Sequence, residues 1–254
     1  MRVVRFAVGT FDIMTTTQNW PQLAAELSDV LALQAPPIAI TFSEAPPAGV
    51  EAFDAPMPEP LPDGRTGRVP AGCAFWIKSA DKTFSTVAED HGNCSVGSVV
   101  LGFKTFDEVA GNSDVAAMLE TGWVTTDVVP QIPVITEKPG AVTYGPLTET
   151  PFDPDVVLIR VNGEQLMLLH DALPDMHLAG KPQCHIVALA KEQGIVAASV
   201  GCALSRVRSG MSVNEMTCAI PAARLGEVLA ALITTAGADG QVASYAGEDA
   251  LRFS

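Results

Sequence analysis

Leu23, Leu27, Val30 and Leu31 recur at i, i+4, i+7 and i+8, the spacing that lays one apolar face along a helix. Asn19 or Trp20 caps that helix, Pro21 stands in its first turn, where a missing amide hydrogen costs nothing, and Pro36 and Pro37 stop it. The pattern then shifts to short continuous apolar runs rich in β-branched residues. IAITF (38–42), VVLIRV (156–161), IVAASVG (195–201) and MTCAIP (216–221) read as strands, and AVTYGPL (141–147) as a strand ending in a turn. Residues 43–70 are polar and proline-rich, a surface excursion. CAFWIKSA (73–80) predicts a short helix, TFSTVA (83–88) a strand, and EDHGNCSVGSVVLGF (89–103) a loop running into a second apolar helix.

Residues 114–121 predict a modest helix, and VTTDVVPQIPVI (124–135) an extended connection. Gly163 opens a helix with Leu166, Leu169, His170 and Leu173 on one face, residues 174–183 read as a loop, and CHIVALAKEQG (184–194) is a helix stopped by Gly194. Leu225, Val228, Leu229, Leu232 and Ile233 define a closing amphipathic helix, and QVASYAGEDALRFS (241–254) reads as one edge strand and a loose end. The expected fold is α+β: an arm of residues 1–18, then one compact unit made of two similar halves, about 19–150 and 151–254.

Composition narrows the function classes. The 254 residues are 48% hydrophobic, enough for a large core, and 15 Lys and Arg against 29 Asp and Glu give a net charge of −14. Phosphate backbones and anionic lipid are repelled by such a chain, so no nucleic-acid or membrane partner is expected, while a small-molecule ligand and homo-oligomers stay open. Asp12 interrupts the apolar run near Arg2 and Arg5 and no small-residue cleavage site follows, so the N-terminus does not read as a signal peptide. A cytoplasmic protein is expected; alternatively translation starts at Met14. An odd five cysteines with no export signal argue against a disulfide scaffold.

The cysteines follow the element order. The first half runs strand, loop, Cys73 on a helix, strand, Cys94; the second runs strand, helix and loop, Cys184 on a helix, strand, Cys202. Halves related in this way pack about a pseudo-twofold axis on which equivalent residues converge, so four cysteines can meet in one place. Cys73 and Cys94 stand at helix starts, whose amides favour thiolate over thiol. Against this stands simple packing, since unbridged cysteine is among the most buried residue types.

The stretch GCALSRVRSGMSVNEMTCAIP (201–221) adds Arg206, Arg208 and Glu215, in what reads as a glycine- and serine-containing loop after Cys202. The two cations suit a carboxylate or phosphate and the glutamate suits proton transfer; alternatively they are a surface ion pair. Trp76 and Trp123 suit a ligand-pocket wall or core, and Glu89 and Asp90 a metal or an acidic helix start. No G-x-S-x-G, Walker loop, dinucleotide glycine motif or H-E-x-x-H occurs.

TYGPLTETPFDPDVVLIRVNGEQLMLLHDAL (143–173), the segments around Cys73, Cys94 and Cys184, and GC-x3-R followed by N-E-M-x-C-x-I-P resemble the family called domain of unknown function 169, over about residues 20–235. The resemblance places that family's recurring cysteines at Cys73, Cys94, Cys184 and Cys202, implies an iron–sulfur cluster held by them, and sets Arg206 on the family's GC-x3-R pattern. Cys218 is then an extra, a core residue in a strand. Zinc is the rival for the same thiolates, with His91 or His185 as a further ligand. The expectation is a metalloprotein carrying [4Fe–4S], serving redox or Lewis-acid chemistry on a small anion near Arg206, no reaction being named. The alternative is a metal-free small-molecule binding or sensing domain with buried structural cysteines.

Overall fold

Asn19 accepts a hydrogen bond from the Gln22 amide at 3.3 Å and so starts helix α1 (Trp20–Leu31), whose Trp20, Ala24, Leu27 and Leu31 are buried. The structure is a computed structural model that describes residues 18–54 and 72–251; residues 1–17 of the arm, Met14 among them, and residues 55–70 of the proline-rich stretch lie outside the described residues. After α1 come β1 (Ile38–Ser43), α2 (Gly72–Lys78), β2 (Phe84–Thr86), α3 (Ser95–Val100), α4 (Phe106–Val109) and α5 (Ser113–Glu120). The chain continues through β3 (Ala141–Pro146), β4 (Val156–Val161), α6 (Gly163–Ala172), β5 (His177–Ala179), α7 (His185–Gln193), β6 (Ala197–Ser199), α8 (Ala203–Ser209), β7 (Met216–Pro221) and α9 (Leu225–Ala250).

The strands form one seven-stranded sheet in the order β2-β3-β1-β4-β7-β6-β5, antiparallel throughout except for β5 beside β6. Strands from residues 38–146 fill one side and strands from 156–221 the other, and the two sets join where β1 pairs with β4. The fold is therefore α+β; the likeness of the two sets is one of element order alone.

Alternation along β4 shows how the sheet becomes the middle layer. Val157, Ile159 and Val161 pack with Leu27 of α1, Leu169 of α6 and Val228 of α9, while Val156 and Leu158 face Phe75 and Trp76 of α2 and Ile186 of α7. Both faces are buried, so every position of the strand is apolar except Arg160. Each fully buried side chain of this size contributes roughly 1.5–3 kcal/mol.

Three segments differ from the sequence reading. Residues 203–209 form α8 rather than a loop, and Leu204 packs toward Val109 and Met118, which the serines and arginines around it concealed. His177–Ala179, inside the expected loop 174–183, pairs in parallel with β6 as a short edge strand with two exposed residues. The expected edge strand at 241–254 is instead the continuation of α9 through Ala250. The buried residues of that helix, Leu225, Val228, Leu229 and Leu232, all fall in its first eight positions, Ile233 is 53% exposed, and helix once nucleated there propagates through an alanine-rich stretch. Among the described residues no helix is long and apolar enough to cross a membrane.

Candidate functional site

Four short elements on the α2/α7 side of the sheet each carry a cysteine at their N-terminal end. Cys73 is the second residue of α2, and Cys94, Cys184 and Cys202 are the N-caps of α3, α7 and α8. All four line one cavity of about 30 Å³, together with Trp76, Gln183 and Ser205. Cys202 is buried and the other three are partly exposed. Cys218 packs on the other face of the sheet, in the core formed by α1, α6 and α9.

Lining a cavity is a weaker condition than converging on a point. Among the described residues no group of three or more His, Cys, Asp or Glu side chains is arranged to hold a metal ion. That overturns the expected metalloprotein: the thiols form parts of a wall, where four-thiolate coordination needs them gathered about one centre. At Cys73 the thiolate expectation fails too. Burial, then the nearby Cys94, pushes the Cys73 thiol up to about 12, and burial, then Cys94 and Cys202, holds Cys184 well above the ordinary thiol value. Desolvation outweighs the helix-start amides.

The expected histidine ligands are occupied or neutral. His91 is buried among Phe75 and Phe103, at ring separations of 4.9 and 4.7 Å, with Nε2 2.9 Å from Thr86 Oγ1. The Thr86 hydroxyl spends its single hydrogen on the Val142 carbonyl, 2.9 Å away, so its oxygen accepts from Nε2–H and the bare nitrogen of His91 is Nδ1, which has no partner. Burial holds His91 down at about 3 and His185 at about 4, so both rings are neutral. Asp90 accepts the Val87 amide at 2.8 Å and closes a 3-10 turn rather than facing a ligand.

Arg206 does not line the cavity. It latches the backbone around α8: Nη2 donates to the carbonyls of Val200 (2.9 Å) and Glu215 (3.2 Å), and Nη1 to that of Ser212. The GC-x3-R pattern has a steric reason, because a Cβ on Gly201, whose φ is +121°, would stand 2.6 Å from Nη2. Glu215 pairs instead with Arg160 at 3.1 Å. The Arg208 side chain lies outside the described set. Trp123 lines a separate apolar cavity of about 20 Å³, with Lys181 Nζ 4.9 Å from its ring centre.

Gln183 was not singled out in the sequence, where it stood in an expected loop. It is 2% exposed, its amide nitrogen donates to Met211 Sδ at 3.7 Å, and its Oε1 has no partner. Trp76, 1% exposed, has an unpartnered Nε1–H. Tyr144 Oη is likewise unpartnered, and burial, with Cys73 and Cys184 nearby, raises its phenol further. Of the buried side-chain polar atoms without a partner, those of Trp76 and Gln183 belong to residues that line this cavity. A larger groove of about 660 Å³ between α1, α6 and α9 has none: its Gln165 donates to the Leu31 and Ala32 carbonyls at 2.8 and 2.9 Å.

A raised thiol pKa has a kinetic signature. Alkylation of Cys73 by iodoacetamide at pH 8 is expected to run about 1,000-fold slower than in the urea-unfolded chain, since the thiolate fraction falls tenfold for each pH unit between the thiol's value and that of the medium. Differential mass labelling of the Cys73 peptide measures it; equal rates in the two states would refute a protonated thiol.

Compared with known sequences, residues 26–231 match the family model for domain of unknown function 169, described as "Uncharacterised ArCR". No curated protein and no solved structure matches the chain.

Proposed function

The chain belongs to the domain of unknown function 169 family, and from the chemistry of its own site we propose that it is a metal-free small-molecule binding or sensing domain whose ligand enters the cysteine-lined cavity. The observation that carries the reading is that two walls of this cavity, Trp76 and Gln183, are almost fully buried and hold an indole N–H donor and an amide oxygen acceptor with no partner. A ligand group that accepts from the one and donates to the other recovers about 1–3 kcal/mol at each, the cost of leaving such a group unsatisfied. A volume of about 30 Å³ gives room for two or so water-sized groups, so the recognised part is the small polar end of a molecule. The protonated thiols of Cys73 and Cys184 make their part of the wall polarisable and weakly donating rather than anionic. The reading places the protein in the cytoplasm, supported by four thiols that border one cavity and remain reduced.

Formamide is a suitable probe, with one carbonyl and one NH₂ group, and formate is its acceptor-only counterpart. Titrated into protein with labelled indoles, formamide is expected to move the Trp76 Nε1–H resonance saturably and further than formate does, and Gln183→Leu to abolish that difference. Trp20 and Trp123 report the general solvent effect. A Trp76 resonance that moves no more than theirs with either probe removes the reading.

A further inference from the structure

Arg160 interrupts the otherwise apolar β4 and lines another cavity, of about 280 Å³, where the β4–β7 ladder ends. We propose that this cavity binds a small zwitterion of the α-amino acid class, its carboxylate on Arg160 and its ammonium on Glu215. The site shares no residue with the cysteine-lined cavity, so it stands or falls apart from the binding reading above.

The cavity holds a charged pair whose hydrogen bonds are unspent. Arg160 Nε stands 3.1 Å from Glu215 Oε1, with the two side chains 16% and 19% exposed, yet neither atom has a hydrogen-bond partner. Among the described residues nothing accepts from the two terminal nitrogens of Arg160 either. Those nitrogens form a fork that matches a carboxylate, and Glu215 Oε1 keeps its capacity to accept from an N–H. Both charges line one space within a few ångströms of each other, as the two charged ends of an α-amino acid do.

Glu215 is fixed before any ligand arrives. Arg206 donates to its backbone carbonyl at 3.2 Å and to that of Ser212. The Glu215 amide donates to the Ser212 carbonyl at 3.1 Å, and the Ser212 amide to Glu215 Oε2 at 3.4 Å. Arg206 is thus a positioning residue, holding the turn that carries Glu215. Another wall is Asn162, whose Oδ1 accepts from the Gln165 amide at 2.9 Å in the cap of α6. No described residue accepts from its NH₂ group, which leaves a further donor for the carboxylate.

Charge selects the zwitterion over a plain anion. The pair is neutral as it stands, in a chain of net charge −14. A carboxylate alone leaves an uncompensated negative charge beside Glu215, and an ammonium alone an uncompensated positive one beside Arg160. A zwitterion meets both and leaves the cavity neutral. At about 280 Å³ the space lies just under the roughly 300–1,000 Å³ of sites for drug-sized ligands, which sets its occupant at the size of a single amino acid.

Glycine, acetate and methylammonium, compared at equal ionic strength and neutral pH, present the zwitterion and its two halves. Titrated into the intact, isotopically labelled protein, glycine is expected to shift the backbone amide resonances of Asn162, Ser212, Asn214 and Glu215 saturably. Its half-saturation concentration should lie about tenfold or more below that of either half, because each half leaves one charge unmet. The Trp76 indole resonance, in the other cavity, should not follow. Glu215→Gln removes the negative charge and should reverse the order, acetate then binding more tightly than glycine, an outcome that an ion pair serving the fold alone does not produce. Arg160→Met should abolish saturation by both. The wild-type ranking decides the matter even where a variant fails to fold. Shifts that do not saturate, that fall elsewhere in the protein, or that rank acetate or methylammonium level with or above glycine overturn the proposal.

Discussion

Acidification from pH 7 to pH 4 is expected to remove on the order of 3 kcal/mol of stability through His91 alone, a large share of the 5–15 kcal/mol typical of a folded domain. His91 is held at about 3 in the folded protein by burial, against 6.5 for an ordinary histidine. The unfolded chain therefore binds a proton that the folded chain refuses everywhere between those values. Stability is fully present above pH 6.5 and is lost as the pH falls below it, at a slope approaching about 1.4 kcal/mol per unit. His185, held at about 4 by the same cause, adds a smaller loss over the same window. Urea denaturation at pH 7, 6, 5 and 4 measures it, and His91→Gln, less stable at pH 7 for want of its ring contacts, should show a flatter decline. A wild-type stability that does not change between pH 6.5 and 4, or a decline that His91→Gln leaves as steep, refutes a buried neutral His91.

The second large effect comes from a glycine. Gly140 leads into β3 with its amide donating to the Ser43 carbonyl at 2.9 Å, and a Cβ there would stand 1.7 Å from the Glu44 carbonyl oxygen and 2.5 Å from its carbon. Both obstacles are backbone, so no side chain can swing aside. Gly140→Ala should cost about 3 kcal/mol or more, the range of overpacking that forces main chain apart. Gly237→Ala is the contrasting case: it lies in the exposed part of α9, a Cβ there meets nothing within 4 Å, and the change should stabilise by about 0.5–1 kcal/mol. Thermal or urea denaturation of both variants tests the pair. A neutral Gly140→Ala would show that β1 and β3 do not close at this spacing.

How much of this was legible in the sequence depended on what each residue packs against. β4 was plain, because a strand buried on both faces is apolar at nearly every position, and α1 was plain from its single apolar face. α8 was obscured because its serines and arginines look solvent-facing, while Ser205 is buried and Arg206 is spent on three carbonyls. The length of α9 was misjudged because its second half has no buried residues to give it a period. At the site, the sequence put Cys73 and Cys94 at helix starts and Cys184 on a helix and grouped them with Cys202, which caps the unexpected α8, but spacing holds no information about where a sulfur points. The iron–sulfur reading required that direction and failed on it. Gln183 gave no signal, since its burial follows from the packing of a loop between α2, α7 and α8 and not from its neighbours in sequence.

The join between the two sets of strands also bears on how the chain is made. β1 has Ile38 opposite Pro146 on one side and Leu158 on the other, each partner more than a hundred residues later. During synthesis the residues of β1 therefore emerge long before either neighbour exists, and closing loops of that length costs entropy that the ladder returns only once β3 and β4 arrive. An apolar strand left waiting in this way is a hazard for misassociation on the ribosome.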